Sequence, residues 1–252
     1  MRNKFVVITF LVIVGILSTG CLNMDVVTRI SEDGSGTWEL GIGIDDSFMA
    51  MFGGMEGMEG EGGLEMEDMD LTGDLLPGGA EEFTDEETGI TFRSEERIVN
   101  GQEMGYVIAE IPDAESWASL ETAFNNVDAE STALDDMAGG DDMGGDDMLA
   151  TDDLTEDIPL VPTVEFTDEG VRVSFEGAAP SEIMGMEDME GQEDMMMFFD
   201  MGELISVSYS IDLGGALTDH NGTIDSATEL PVWILDWEST EPIEIFAEGS
   251  FE

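Results

Sequence analysis

Strict alternation is the feature of this chain that most limits its fold. Ile205, Val207, Tyr209, Ile211 and Leu213 are apolar, and the residues between them, Ser206, Ser208, Ser210 and Asp212, are polar. Successive side chains of a strand point to opposite faces, so the segment predicts a strand with one face in a core. The same pattern opens the chain's ordered part. Leu22, Met24, Val26, Thr28 and Ile30 alternate with Asn23, Asp25, Val27, Arg29 and Ser31. Turn residues Ser31–Gly36 follow, and then Trp38, Leu40, Ile42 and Ile44 alternate again, which predicts a hairpin over 22–44.

A second hairpin is expected from Ile90–Ile98 and Met104–Ile111, around the turn Val99–Gln102. A third is expected from Val164–Phe166 and Val171–Phe175, around Thr167–Gly170. The turn-rich stretch Gly214–Leu230 precedes expected strands at Val232–Trp237 and Ile243–Ala247. Between the second and third hairpins, Pro112-Asp113 starts a helix, with Asp113 as N-cap for Ala114–Asn125. Trp117, Leu120 and Phe124 share one stripe of it, so the helix is expected to lie on the sheet. This order has no repeated strand–helix–strand units. The expected class is α+β: one curved, mainly antiparallel sheet with one or more packed helices.

Three segments break the pattern, at 49–71, 135–157 and 184–201. They hold sixteen of the nineteen methionines, dispersed among glycines and carboxylates. In the first two, glycine and charge in that density argue against a stable strand or long helix, whereas Met and Glu in the third suit a helical turn or two; all three are expected as low-complexity insertions outside the fold.

Upstream lies Phe5–Leu17, apolar apart from Thr9 and preceded by Arg2 and Lys4. Thirteen residues reach roughly 20 Å as a helix, short of a ~30 Å hydrocarbon core. This is the layout of a secretory signal, with the Sec route expected because the start holds a single arginine. Its end, Leu17-Ser-Thr-Gly-Cys21, resembles a lipobox, which implies cleavage after residue 20 and diacylglycerol on Cys21. The alternative is an ordinary secretory signal beside a chance cysteine. The expected organisation is therefore a signal peptide at 1–20 and one extracytoplasmic domain at 21–252, lipid-anchored to the cell membrane. Cys21 is the sole cysteine, which leaves no pair for a disulfide.

Charge excludes one class of partner. Beyond residue 20 four arginines (Arg29, Arg93, Arg97 and Arg172) face sixty acids, and no lysine is left. That field repels nucleic acid and bare anionic membrane, and favours cations.

The opening CLNMDVVTRISEDGSGTWELGIGID resembles the start of LppM-type lipoprotein domains: a lipobox cysteine, a strand, an acidic Asp-Gly turn and a second strand. The ending is similar too, with the strand ISVSYSIDLGG, a turn at His220-Asn221-Gly222 and the tryptophan-bearing strand Val232–Trp237. The resemblance covers about two-thirds of the chain and excludes the insertions. It implies a membrane-tethered envelope protein with an α+β domain suspected of binding lipid, and it brings no catalytic motif. A lipid or other apolar ligand between sheet and helix would be lined by Trp38, Leu40, Trp117, Phe124, Val207 and Tyr209, residue types that more often form a plain core.

Catalysis is poorly provided for. The one histidine, His220, lies beside Asn221-Gly222, a sequence expected in an exposed turn, and no phosphate loop, nucleophile elbow or zinc-helix motif occurs. An enzyme is not expected, nor is a cofactor. Cation handling is the competing class. Asp135-Asp136, Asp141-Asp142 and Asp146-Asp147 offer hard oxygens to Ca²⁺, but without a known loop spacing, so binding of roughly millimolar strength is expected. Thioethers at Met55/Met58, Met66/Met69, Met186/Met189 and Met195–Met197 suit Cu(I), although the ligands between them are hard. Asn221-Gly222-Thr223 is also a glycosylation triplet.

Overall fold

How the alternating segments pair decides the architecture. The computed structural model describes residues 22–44, 76, 80, 82–99, 101–130, 158–168, 170–183, 205–237 and 239–251. Its strands are β1 (Leu22–Ile30), β2 (Gly36–Ile44), β3 (Glu82–Thr84), β4 (Thr91–Val99), β5 (Gln102–Ile111) and β6 (Thr163–Thr167). They continue with β7 (Gly170–Gly177), β8 (Ile205–Asp212), β9 (Ala216–His220), β10 (Thr223–Ile224), β11 (Pro231–Ile234) and β12 (Ile243–Ser250). A 3₁₀ turn at Ser116–Ser119 runs into α1 (Leu120–Glu130), and α2 (Pro180–Ile183) is a single turn.

All three expected hairpins form. Eight strands make one sheet in the order β10-β11-β8-β1-β2-β5-β4-β3, and four make another in the order β6-β7-β12-β9. Neighbours are antiparallel except β1 and β8, which run parallel with Leu22 level with Ile205. The β1–β2 hairpin keeps register along its whole length, from Leu22 opposite Ile44 to Ile30 opposite Gly36. Its turn closes through Gly34 at φ 84°, a left-handed conformation that favours glycine. A Cβ on Gly34 would stand 2.8 Å from Ala114 Cβ, so glycine also admits the start of the helical segment.

The core lies between the sheets. Met24, Val26, Leu40, Val207, Tyr209 and Ile211 of the larger sheet share one cluster with Val171, Val173, Phe175, Ile243, Ile245 and Ala247 of the smaller. Phe175 and Tyr209 meet edge to face across the gap, ring centroids 5.0 Å apart. The helical segment covers a neighbouring part of the same face with Trp117, Leu120, Ala123 and Val127. Asp113 caps that segment, its Oδ1 accepting from the Ser116 N–H at 2.9 Å and the Ser116 hydroxyl at 2.8 Å.

The expected α+β class is corrected. Among the described residues the fold is mainly β, two sheets with α1 as the one helix longer than a single turn, rather than a single sheet backed by helices. The third hairpin does not extend the first sheet: β7 pairs with β12, and together they cover the apolar face where helices were expected. Alternation reveals which face of a strand is buried but not what buries it.

Candidate functional site

The six residues expected to line a ligand layer all point into the space between the layers, in two groups. On the helix side, Trp38 is fully buried, donates its indole N–H to the Leu160 carbonyl at 2.9 Å and takes Phe124 on its edge at 5.0 Å. Leu40 is buried beside it, and Trp117 donates its indole N–H to the Gly34 carbonyl at 3.0 Å. Val207 and Tyr209 lie on β8, where Tyr209 faces Phe175 of the smaller sheet. All six belong to the main hydrophobic cluster, Phe124 as a half-buried member. The Tyr209 hydroxyl is buried without a hydrogen-bond partner, as is the Thr28 hydroxyl on β1. Burial alone pushes the Tyr209 phenol up.

The opposite face of the larger sheet holds an arrangement that was not anticipated. Tyr106 lies directly across from Gly41 and places its ring over that glycine, where a Cβ would come within 2.5 Å of Cε1. Its hydroxyl donates to Asp25 Oδ2 at 3.2 Å, and Ser208 donates to Asp25 Oδ1 at 2.7 Å. Asp25 thus ties β5 and β8 to β1. Burial, then the Asp25 charge, pushes the Tyr106 phenol up.

Beside it sits Glu39, its side chain 6% exposed, bound by Arg29 on one oxygen and by Arg97 Nη1 on the other at 2.6 Å. The Arg97 guanidinium also stands 4.5 Å above the Tyr106 ring and reaches Glu95 at 3.2 Å. Arg93 bridges Glu95 at 2.6 Å and Glu110 at 3.2 Å. Hydrogen bonds from Arg97 and then Arg93 hold the Glu95 carboxyl down at about 2. Three of the four arginines beyond residue 20 are thus spent on one sheet face. The carboxylates named here are all engaged by an arginine or a hydroxyl, so the face braces the sheet rather than offering a reactive pair. The signal was present as Arg93-x-Glu95-x-Arg97, three charges on one face of one strand.

His220 is not in an exposed turn. It closes β9 opposite Ala247 and is half-buried, its Nδ1 without a partner. Asn221 of the glycosylation triplet accepts from the Trp233 indole at 2.9 Å and the Phe246 N–H at 3.0 Å, and donates to the Glu244 carbonyl at 2.7 Å. Cys21, the signal segment and the three insertions with their Ca²⁺ and Cu(I) ligands lie outside the described residues. Among the described residues no group of three or more His, Cys, Asp or Glu is placed to hold a metal ion, and no helix is long and apolar enough to cross a membrane.

The two ends of the larger sheet differ. At one, the starts of β1 and β8 and the end of β2 are level, since Leu22 pairs with both Ile44 and Ile205. The β4–β5 turn after Val99 lies at this end. At the other are the turns that follow β1, β3 and β10.

No family model matches this chain, and no curated protein does. Among solved structures it is similar to the NMR structure of the folded domain of Mycobacterium tuberculosis LppM, with 12% identity and a TM-score of 0.44 over 93% of this chain and 92% of that one. This is a weak likeness to an LppM fold.

Proposed function

We propose that this protein is a cell-envelope lipoprotein, acylated on Cys21, whose folded part is a non-enzymatic binding or envelope-organising module for lipid or another apolar ligand. The observation that carries the reading is continuity. Pairing of β1 starts at Leu22, the residue after the lipobox cysteine, so no linker separates anchor from fold. Nine strand residues at ~3.4 Å then set the turn after β1 roughly 30 Å from the anchored end. The ligand would enter the apolar layer bounded by Trp38, Leu40, Trp117, Phe124, Val207 and Tyr209. In its favour is the unpartnered Tyr209 hydroxyl, a polar group facing an apolar layer, as sites for apolar ligands use to fix orientation.

Two measurements test this on protein purified from its native membrane. Mass spectrometry of the Cys21 peptide is expected to show a diacylglyceryl group, and globomycin to block processing. Solvent extraction is expected to release a stoichiometric lipid. An unmodified Cys21 overturns the lipoprotein reading, and a lipid-free protein overturns the ligand. Tight stoichiometric uptake of Ca²⁺ or Cu(I) by the same preparation would put cation handling in its place.

A further inference from the structure

We infer that Asn221 is a latch between the two sheets and a site of self-modification that the latch holds shut, so that opening this corner commits the residue irreversibly to aspartate or isoaspartate. The sequence supplies the hazard. Asn221 precedes Gly222, and with no Cβ on the following residue the backbone nitrogen has open access to the asparagine side chain. In the reaction the Gly222 nitrogen attacks Asn221 Cγ. The N–Cγ bond forms, the Cγ–Nδ2 bond breaks, and Nδ2 leaves as ammonia with the proton that the Gly222 amide gives up. Water then opens the cyclic imide on one side to aspartate or on the other to isoaspartate. Packing keeps the hazard in place: a Cβ at residue 222 would stand 2.5 Å from Trp233 Cε2, so the position admits only glycine.

The structure supplies the guard. β9 belongs to the four-stranded sheet and β10 to the eight-stranded one, and residues 221 and 222 are the turn between them. Asn221 Oδ1 accepts from the Trp233 indole of β11 at 2.9 Å and from the Phe246 N–H of β12 at 3.0 Å. Its Nδ2 donates to the Glu244 carbonyl of β12 at 2.7 Å. One carboxamide thus holds a strand of each sheet. To present Cγ to the Gly222 nitrogen it must turn away from these partners. Asn221 is exposed, so hydrogen bonding rather than burial restrains it. Neither product restores the latch. Aspartate sets an oxygen against the Glu244 carbonyl where Nδ2 donated, and isoaspartate adds a methylene to the backbone of the turn.

The chain carries its own comparison. Asn100-Gly101 is the other Asn-Gly pair in the sequence. Asn100 lies outside the described residues, but Gly101 is exposed, at φ 89°, with nothing within 4 Å of where a Cβ would be.

The test follows deamidation at both asparagines by peptide mass mapping. Full-length protein is held at mildly alkaline pH, folded and in concentrated guanidinium chloride. Protection at each site is the rate in denaturant divided by the rate in the folded protein, which cancels the intrinsic difference between the two sequences. It is expected to be at least about tenfold larger at 221 than at 100, three net hydrogen bonds being worth at least that factor. Trp233→Phe keeps a ring over Gly222 and removes the indole N–H. It is expected to speed deamidation at 221 about threefold or more and to leave the rate at 100 unchanged. Equal protection at the two sites in the parent protein overturns the inference, whatever the variant does. An unchanged rate at 221 in the variant, shown to be folded by circular dichroism, overturns it too, as does a rise at both sites alike, which would report general loosening.

Discussion

Tyr106 occupies the space that a side chain on Gly41 would need. The two face each other across β2 and β5, and the ring lies flat enough that an added Cβ would sit 2.5 Å from it. Tyr106 is 2% exposed and tied to Asp25, so it has little room to retreat. Gly→Ala inside a strand normally stabilises. Here Gly41→Ala is expected to destabilise by roughly 1–3 kcal/mol, the range for overpacking a filled site. Urea unfolding checks it. In a Tyr106→Ala background the cost should fall by at least ~1 kcal/mol, since residues in contact couple.

Glu39 needs its arginines more than they need it. The Glu39 side chain is 6% exposed, while Arg29 is 44% and Arg97 30% exposed, and Arg97 also has Glu95. Arg97→Met leaves a buried carboxylate half-neutralised and removes the contact over Tyr106, and should cost roughly 2–3 kcal/mol. Glu39→Met removes the buried charge itself and frees two arginines that reach water, so it is expected to cost less. Chemical denaturation of both variants in the same buffer decides the order. The reverse order would mean that the arginines, not the carboxylate, are the strained partners.

Acid should loosen this face in a defined window. The Glu95 carboxyl is lowered from 4.5 to about 2 by Arg97 and Arg93. A group whose folded pKa is depressed contributes stability that is fully present above its unfolded value and is lost as pH falls through the folded one. Loss is therefore expected between about pH 4.5 and 2. With 40% of the side chain exposed, solvent and salt weaken the effect. Glu95→Gln should flatten the stability profile in that window, as followed by thermal melts at stepped pH.

Much of this was legible in the sequence, for physical reasons that also mark its limits. Period two is a local property, so the hairpins at 22–44 and around Val99–Gln102 and Thr167–Gly170 could be read from it. So could the buried side of β1, β2 and β8, from Trp38 and Leu40 to Val207 and Tyr209, whereas β5 is buried on both faces and β9 is largely exposed. Sheet membership is not local. Val173 and Ile245 alternate as cleanly as Val207, yet they belong to a second sheet, and the parallel junction of Leu22 with Ile205 joins residues from opposite ends of the chain. The arginine network was written on one strand as Arg93-x-Glu95-x-Arg97, but its centre, Glu39, becomes visible only once β4 and β2 lie on either side of β5.

One turn is built twice, which offers an internal comparison. In Asp85-Glu-Glu-Thr88, Asp85 Oδ1 accepts from the N–H groups of Glu87 and Thr88 and from the Thr88 hydroxyl. In Asp225-Ser-Ala-Thr228 the same side chain binds the N–H groups of Ala227 and Thr228 and the Thr228 hydroxyl. Asp85 is buried and also holds the Asn126 amide at 3.0 Å, which docks the helix. Asp85→Ala should therefore cost about 2 kcal/mol and Asp225→Ala about 1, because unsatisfied donors are costlier where water cannot replace the acceptor. Parallel urea titrations of the two variants measure the gap.

The two turns differ at one position, and that difference predicts a gain. Gly89 follows the first turn at φ 73°, and Glu229 follows the second at φ 61°. Glu229 is the non-glycine residue with positive φ among those described. A side chain there crowds its own carbonyl by roughly 1–2 kcal/mol, whereas glycine adds ~0.4–1 kcal/mol of unfolded-chain entropy. Glu229→Gly is accordingly expected to stabilise by about 0.5–1 kcal/mol, and Gly89→Glu to destabilise by a similar amount. Removing one acid from an end already crowded with Asp225 adds to the gain, and that part should shrink as salt is raised. Glu229→Ala separates the two contributions: it removes the charge and keeps the strain, so its midpoint should exceed that of the parent only at low ionic strength.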